Sequence, residues 1–279
     1  MTASQTQPER DLHFHPVVNP TPKRLSASDI ARFNAEGHLS PFHIYDAADA
    51  DRNRAYFDGL LEQVRAANDG RDEYSINGYH TTCAGLWDIV MNPRILDIVE
   101  DLLGPNFVAW GTHYFCKLPH DDRTVPWHQD ASYWPLTPSK TVTAWLAIDD
   151  ADAENAAMQV IPTSHLKGHL AWEQTRQPRV VLGQEVLDVA QYGTPEYVTL
   201  KAGEVSFHSD LLLHGSEANT SDRRRCGLTI RYASTDVRVL QEGWKSRSIL
   251  CRGVDEANYW NNSPRPQEED AQPRDWQKR

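Results

Sequence analysis

The chain changes texture at Gly104-Pro105, and that break constrains the fold more than any other feature. Beyond it come short runs of strand-forming residues over 107–117, 142–148, 158–161, 198–200, 204–207 and 228–233. Pro and Gly punctuate them at irregular spacing, which suggests a sandwich or jelly roll rather than alternating βαβ units. No GxGxxG or GxxxxGK stretch offers a phosphate loop. The expected class is mainly β with flanking helices.

Those helices come first. Ser26 to Asp29 reads as a helix start, a hydroxyl at the cap and an acid three residues on, with Ile30 and Phe33 on one face and Gly37 as the stop. A second helix is expected over about 49–67, with Tyr56, Leu60 and Val64 one turn apart. A third begins at Pro93, carries Ile95, Ile98, Val99 and Leu102 as a stripe, and ends at Gly104-Pro105. Residues 1–24, with four prolines, read as an extended arm that wraps the domain or stays mobile. Residues 263–279 read as a polar, solvated tail. No linker divides the chain, so one domain over 1–279 is expected.

A formal net charge of −11 argues against a nucleic-acid binder, whose affinity comes from a basic face. No apolar run is long enough to span a membrane, and the N-terminus lacks the apolar core of a secretory signal. Cys83, Cys116, Cys226 and Cys251 are scattered with no CxxC pair, which points to reduced thiols and a cytoplasmic setting.

The chemistry gathers at Trp127-His128-Gln129-Asp130. His128 and Asp130 are two apart, so on a strand both side chains leave the same face. Alone the pair is common, and a buried histidine beside an acid explains it as well. His214, followed by Gly215-Ser216 as if at a turn, supplies a second imidazole after the 204–207 run. Two imidazoles and one carboxylate on one side of a metal are the facial set that leaves open positions on non-haem iron(II). Arg225, the last of Arg223-Arg224-Arg225, enters the alternating run that begins at Gly227. A guanidinium entering a buried strand needs an anion, and a carboxylate held by two bonds suits it. Arg231 shares its parity and is the other candidate.

Four ordered motifs then carry a resemblance: 125–130, Thr143 to Asp150, Met158 to His165, and His214-Gly215-Ser216 through Arg225. Over roughly residues 25–235 the chain resembles the phytanoyl-CoA dioxygenase family. The resemblance implies a double-stranded β-helix (jelly roll, cupin-like) and a hydroxylase using iron(II), 2-oxoglutarate and dioxygen. It implies that His128, Asp130 and His214 hold the iron and that Arg225 binds the distal carboxylate of 2-oxoglutarate. Trp145 and Thr143 would line the cosubstrate pocket. Related halogenases replace the acid of the HxD motif with a small residue, so Asp130 implies hydroxylation. Two glycines of the family pattern are Ala156 and Thr163 here, which implies altered turns at both.

For the substrate, Tyr133 and Trp134 are expected at the pocket mouth, packing a chain or facing an ammonium group. Arg252 could meet a phosphonate or carboxylate and Asp255 an amine, with Cys251 beside them. The resemblance points to hydroxylation of a small polar metabolite, an N-substituted or simple aminoalkylphosphonate first. A hydroxylase of a natural-product, amino-acid or carrier- or CoA-bound substrate is the second reading. A non-catalytic jelly-roll binding protein is a third, and a zinc hydrolase on the same ligands a fourth.

Overall fold

A computed structural model describes residues 9–273. Helix α1 (Ala27–Glu36) starts at a capping box, Ser26 accepting from the Asp29 amide while Asp29 accepts from that of Ser26, and it stops at left-handed Gly37. Helices α2 (Ala47–Ala66) and α4 (Pro93–Leu103) match the expected periodicity, and α3 (Ala84–Val90) was not anticipated. Asn92 caps α4 just before its N1 proline.

Ten strands make two antiparallel sheets: β1 (His38–His43), β2 (Phe107–Lys117), β3 (Val125–His128), β4 (Thr141–Ala147), β5 (Gln159–Val160), β6 (Glu196–Tyr197), β7 (Glu204–Ser209), β8 (His214–Ser216), β9 (Arg225–Ser234) and β10 (Ile249–Arg252). The larger sheet runs β1-β7-β4-β9-β2-β10, the smaller β3-β8-β5-β6. The expected 198–200 strand is corrected. Pairing occurs two residues earlier at Glu196–Tyr197, and Leu200 keeps only a bridge to Ala151.

Strand alternation sorts the larger sheet into two faces. Cys226, Leu228, Ile230 and Tyr232 of β9, with Val142, Ala144 and Leu146 of β4, pack under the helices with Phe57, Leu60 and Ile95. The opposite parity, Arg225, Gly227, Thr229 and Arg231, faces the smaller sheet. A bulge at Trp110 inserts one residue opposite the Arg231–Tyr232 step, so the core-facing residues of β2 change from Phe107 and Ala109 to Tyr114 and Cys116.

The arm wraps the body. Asp101 accepts the amides of Lys23, Arg24 and Leu25, and Arg10 donates to the Leu136 and Ala131 carbonyls. The tail is corrected as far as it is described. Arg265 pairs with Asp88, Glu269 accepts from Tyr56, and Asp270 bonds the Thr82 carbonyl, so it lies against α3. Residues 1–8 and 274–279 of the arm and tail lie outside the described residues.

Candidate metal centre

The smaller sheet builds the centre. β3 and β8 pair so that His128 and His214 are direct register partners, with ring centroids 4.2 Å apart. Each imidazole is held by a carbonyl two residues upstream, His128 Nδ1 on Pro126 O (2.8 Å) and His214 Nδ1 on Leu212 O (2.9 Å). Both Nε2 atoms are thereby left as lone-pair donors, the tautomer a metal needs. β3 ends at His128, and Asp130 opens a 3₁₀ turn, so the expectation that both sit on one strand is corrected. Gln129 between them stays extended and is pinned the other way, bonding Gly168 O, Leu211 O and the Leu170 amide. His128 and Asp130 therefore still share a direction.

Ligand atoms of His128, Asp130 and His214 lie within 4.8 Å of one another, and all three residues are buried. Burial alone would raise the Asp130 pKa. The His128 and His208 imidazoles, His214 and Arg231 outweigh it and hold the carboxylate well below its usual range. Burial, then His128, holds His214 neutral. A buried carboxylate facing two oriented imidazoles suits a divalent cation of intermediate softness, iron(II) among them.

The centre opens into a cavity of about 420 Å³, its open mouth included, between the two sheets. Arg225, 2% exposed, lines it, donating to Ala156 O (3.1 Å) and Ser216 Oγ (3.2 Å) with the Trp145 ring 5.9 Å away. Neither partner is an anion, so this buried guanidinium fits one carboxylate of a dicarboxylate reaching in from the metal. Gly227 is what lets Trp145 lie there, since a Cβ would sit 2.0 Å from its ring. Thr143 is corrected: its hydroxyl donates to Asp130 (3.2 Å), so it steadies the carboxylate rather than lining the cosubstrate space.

Tyr133 and Trp134 line an outer chamber that Asp130 shares with the inner cavity. Cys251, Arg252 and Asp255 are not brought there. Arg252 pairs with Asp97 and Glu100 of α4, Asp255 accepts the Tyr259 and Trp260 amides, and Cys251 belongs to the core under the sheet. Their polar character serves the packing of the C-terminal segment. Sequence reasoning missed His208, whose Nε2 lies 3.8 Å from the Asp130 carboxylate and whose ring lies 4.8 Å from that of His214. The altered turns are corrected too: Ala156 (φ 62°) and Thr163 (φ 71°) keep the left-handed backbone that favours glycine.

Residues 21–227 match the family described as Phytanoyl-CoA dioxygenase (PhyH). The chain belongs to this family. Peroxisomal phytanoyl-CoA dioxygenase of Bos taurus is 29% identical over 171 residues, 58% of this chain and 50% of that protein. L-proline trans-4-hydroxylase of Streptomyces griseoviridis is 26% identical over 230 residues, 72% and 84% of the two chains. Among solved structures, the non-heme monooxygenase ThoJ in its apo form superposes with a TM-score of 0.74 at 27% identity, covering 86% of this chain and 88% of that one. The chain spans about half the length of the phytanoyl-CoA dioxygenases it matches. No helix among the described residues is long and apolar enough to cross a membrane.

Proposed function

We propose that this chain is an iron(II)/2-oxoglutarate-dependent dioxygenase that hydroxylates an unactivated C–H bond of a small polar metabolite. The observation that carries it is the convergence of His128, Asp130 and His214 within 4.8 Å beside a buried arginine without a protein carboxylate. The facing sheets support a double-stranded β-helix scaffold for it, with 9–24 as a wrapping arm. Iron(II) with 2-oxoglutarate and dioxygen would supply the oxidant that converts C–H to C–OH, releasing succinate and carbon dioxide.

The chain's own residues set the geometry. His128 and His214 present Nε2 because the carbonyls of Pro126 and Leu212 hold their other nitrogens. Asp130, steadied by Thr143, fills the third position and keeps it closed to halide. Arg225 and Ser216 anchor the distal carboxylate of 2-oxoglutarate, and Trp145 and Met158 wall that space against water. Substrate enters from the outer chamber, past Tyr133 and Trp134. The narrower reading, an aminoalkylphosphonate, now rests on the sequence resemblance without Arg252 and Asp255.

The test is succinate release in air with iron(II), ascorbate and 2-oxoglutarate, across aminoalkylphosphonates, amino acids and acyl substrates. Oxygen-dependent succinate with at least one class is expected. No 2-oxoglutarate consumption with any of them, and none without substrate, rejects the reading.

A further inference from the structure

The outer chamber, about 780 Å³ with its open mouth, is lined by Trp110, Trp134 and Trp244, by Tyr133, and by Arg231 and Arg247. Arg231 is the unexplained residue. Arg225 has acceptors in Ala156 O and Ser216, and Arg223 and Arg224 have carboxylates. Arg231 makes no hydrogen bond or ion pair among the described residues, and its Nε is buried without an acceptor. Its charge sits 5.4 Å from the Trp134 ring and 5.9 Å from that of Trp110. Cation–π contacts of that length return less than desolvating an unpaired guanidinium costs.

The backbone is built to place it. Arg231 stands opposite Gly111, where a Cβ would meet the guanidinium in ordinary van der Waals contact, 3.6 Å from Nη1. The bulge one step on displaces Trp110 over it. Trp110 Nε1 is a second buried donor with no acceptor among the described residues, and it belongs to the same chamber wall. Asp130 is the chamber's one carboxylate among the described residues, and it is committed to the metal. Burial and then the charge of Arg231 hold His113, on the same wall, neutral with a pKa of about 4. Arg231 lines both the inner cavity, with Arg225, and the outer chamber, and six residues of extended strand, roughly 20 Å, separate the two α-carbons.

We propose that Arg231, with the Trp110 indole N–H, binds an oxyanion of the substrate, so that the chamber selects small molecules carrying a carboxylate or phosphonate. This rests on the hydroxylase reading above for the word substrate, but the anion site is a property of the chamber itself. The head group seats against Arg231, the aromatic walls enclose the adjoining carbons, and Asp130's edge of the chamber brings a C–H bond to the metal. Arg225 then serves 2-oxoglutarate alone.

The test uses full-length protein loaded anaerobically with iron(II) and 2-oxoglutarate. Methylphosphonate and acetate are titrated in, with acetamide as the uncharged control, following tryptophan fluorescence and the visible iron–2-oxoglutarate absorption. Saturable binding of at least one anion, and none of acetamide, is expected. Arg231→Gln should weaken it tenfold or more, and Arg231→Lys about threefold or more, with 2-oxoglutarate affinity within twofold of the parent. The tighter of the two anions distinguishes a phosphonate from a carboxylate substrate. If Arg231→Gln does not fold, Arg231→Lys carries the comparison. Insensitivity of the parent protein to both anions, unchanged anion binding in the variants, or loss of 2-oxoglutarate on changing Arg231 overturns the proposal. Failure of the visible absorption to form in the parent, with anion binding intact, would instead count against the hydroxylase reading.

Discussion

His128 and His214 are nearest neighbours across an antiparallel pair, the last residue of β3 directly opposite the first of β8. One strand pairing thus creates two-thirds of a metal site from residues far apart in the chain, and the turn after His128 delivers the third ligand. The same pairing explains why the rings are buried yet oriented. Each is tethered to the carbonyl two residues before it, so neither depends on the other for its tautomer.

Replacing His128, Asp130 or His214 by Ala should abolish iron-dependent 2-oxoglutarate turnover. Thr143→Val removes only the hydroxyl that steadies Asp130 and should weaken metal binding about 10- to 100-fold. Calorimetric titration with cobalt(II) checks both, and parent-like affinity in Thr143→Val would remove Thr143 from the site.

Arg225→Met should cost 2-oxoglutarate roughly 2 kcal/mol or more of binding, seen as a KM raised about 30-fold or more. The KM for the organic substrate should move far less. A uniform fall in both would mean that the substitution had collapsed the cavity.

Much of this site was legible in the sequence because metal chemistry restricts residue types. A histidine, an acid two on and a distant histidine are informative once strands join them. Arg225 was read from its place at the start of a buried strand and Trp145 from the family resemblance, and the fold brings both to the cavity. Arg252 and Asp255 were misread because local polarity does not reveal orientation. Their partners, Asp97, Glu100 and two backbone amides, are set by how β10 docks beside α4. In the fold, α1, α2 and α4 were readable from their caps and stripes. Of the two- and three-residue strands, Gln159–Val160 fell inside an expected run, whereas Glu196–Tyr197 and His214–Ser216 did not, since strands so short carry almost no periodicity of their own.

Thr163 holds φ at 71°, an unfavourable conformation for a β-branched residue. Thr163→Gly should relieve it and stabilise the protein by roughly 1 kcal/mol, less what glycine loses in the unfolded chain. Urea denaturation gives the sign. A destabilised Thr163→Gly would show that the Thr163 side chain contributes more than its backbone costs.

Lys117 is fully buried on β2, with its ammonium against the Arg123 and Glu217 carbonyls. Burial, then the charge of Arg225, lowers its pKa from 10.5 to about 6. Between those values the unfolded chain binds the extra proton, so stability rises with pH, at most by about 1.4 kcal/mol per unit from this group. Urea midpoints at pH 6.5 and 8.5 should show that gain in the parent and a smaller one in Lys117→Met. Equal gains in the two proteins would mean that Lys117 is charged when folded.

The centre itself is tested most directly by anaerobic titration of iron(II) and 2-oxoglutarate into the protein, followed by visible absorption. A metal held by His128, Asp130 and His214, chelated by 2-oxoglutarate anchored on Arg225, gives a saturable band of one iron and one 2-oxoglutarate per chain that His214→Ala lacks. No band in the parent protein, or an undiminished band in His214→Ala, contradicts it.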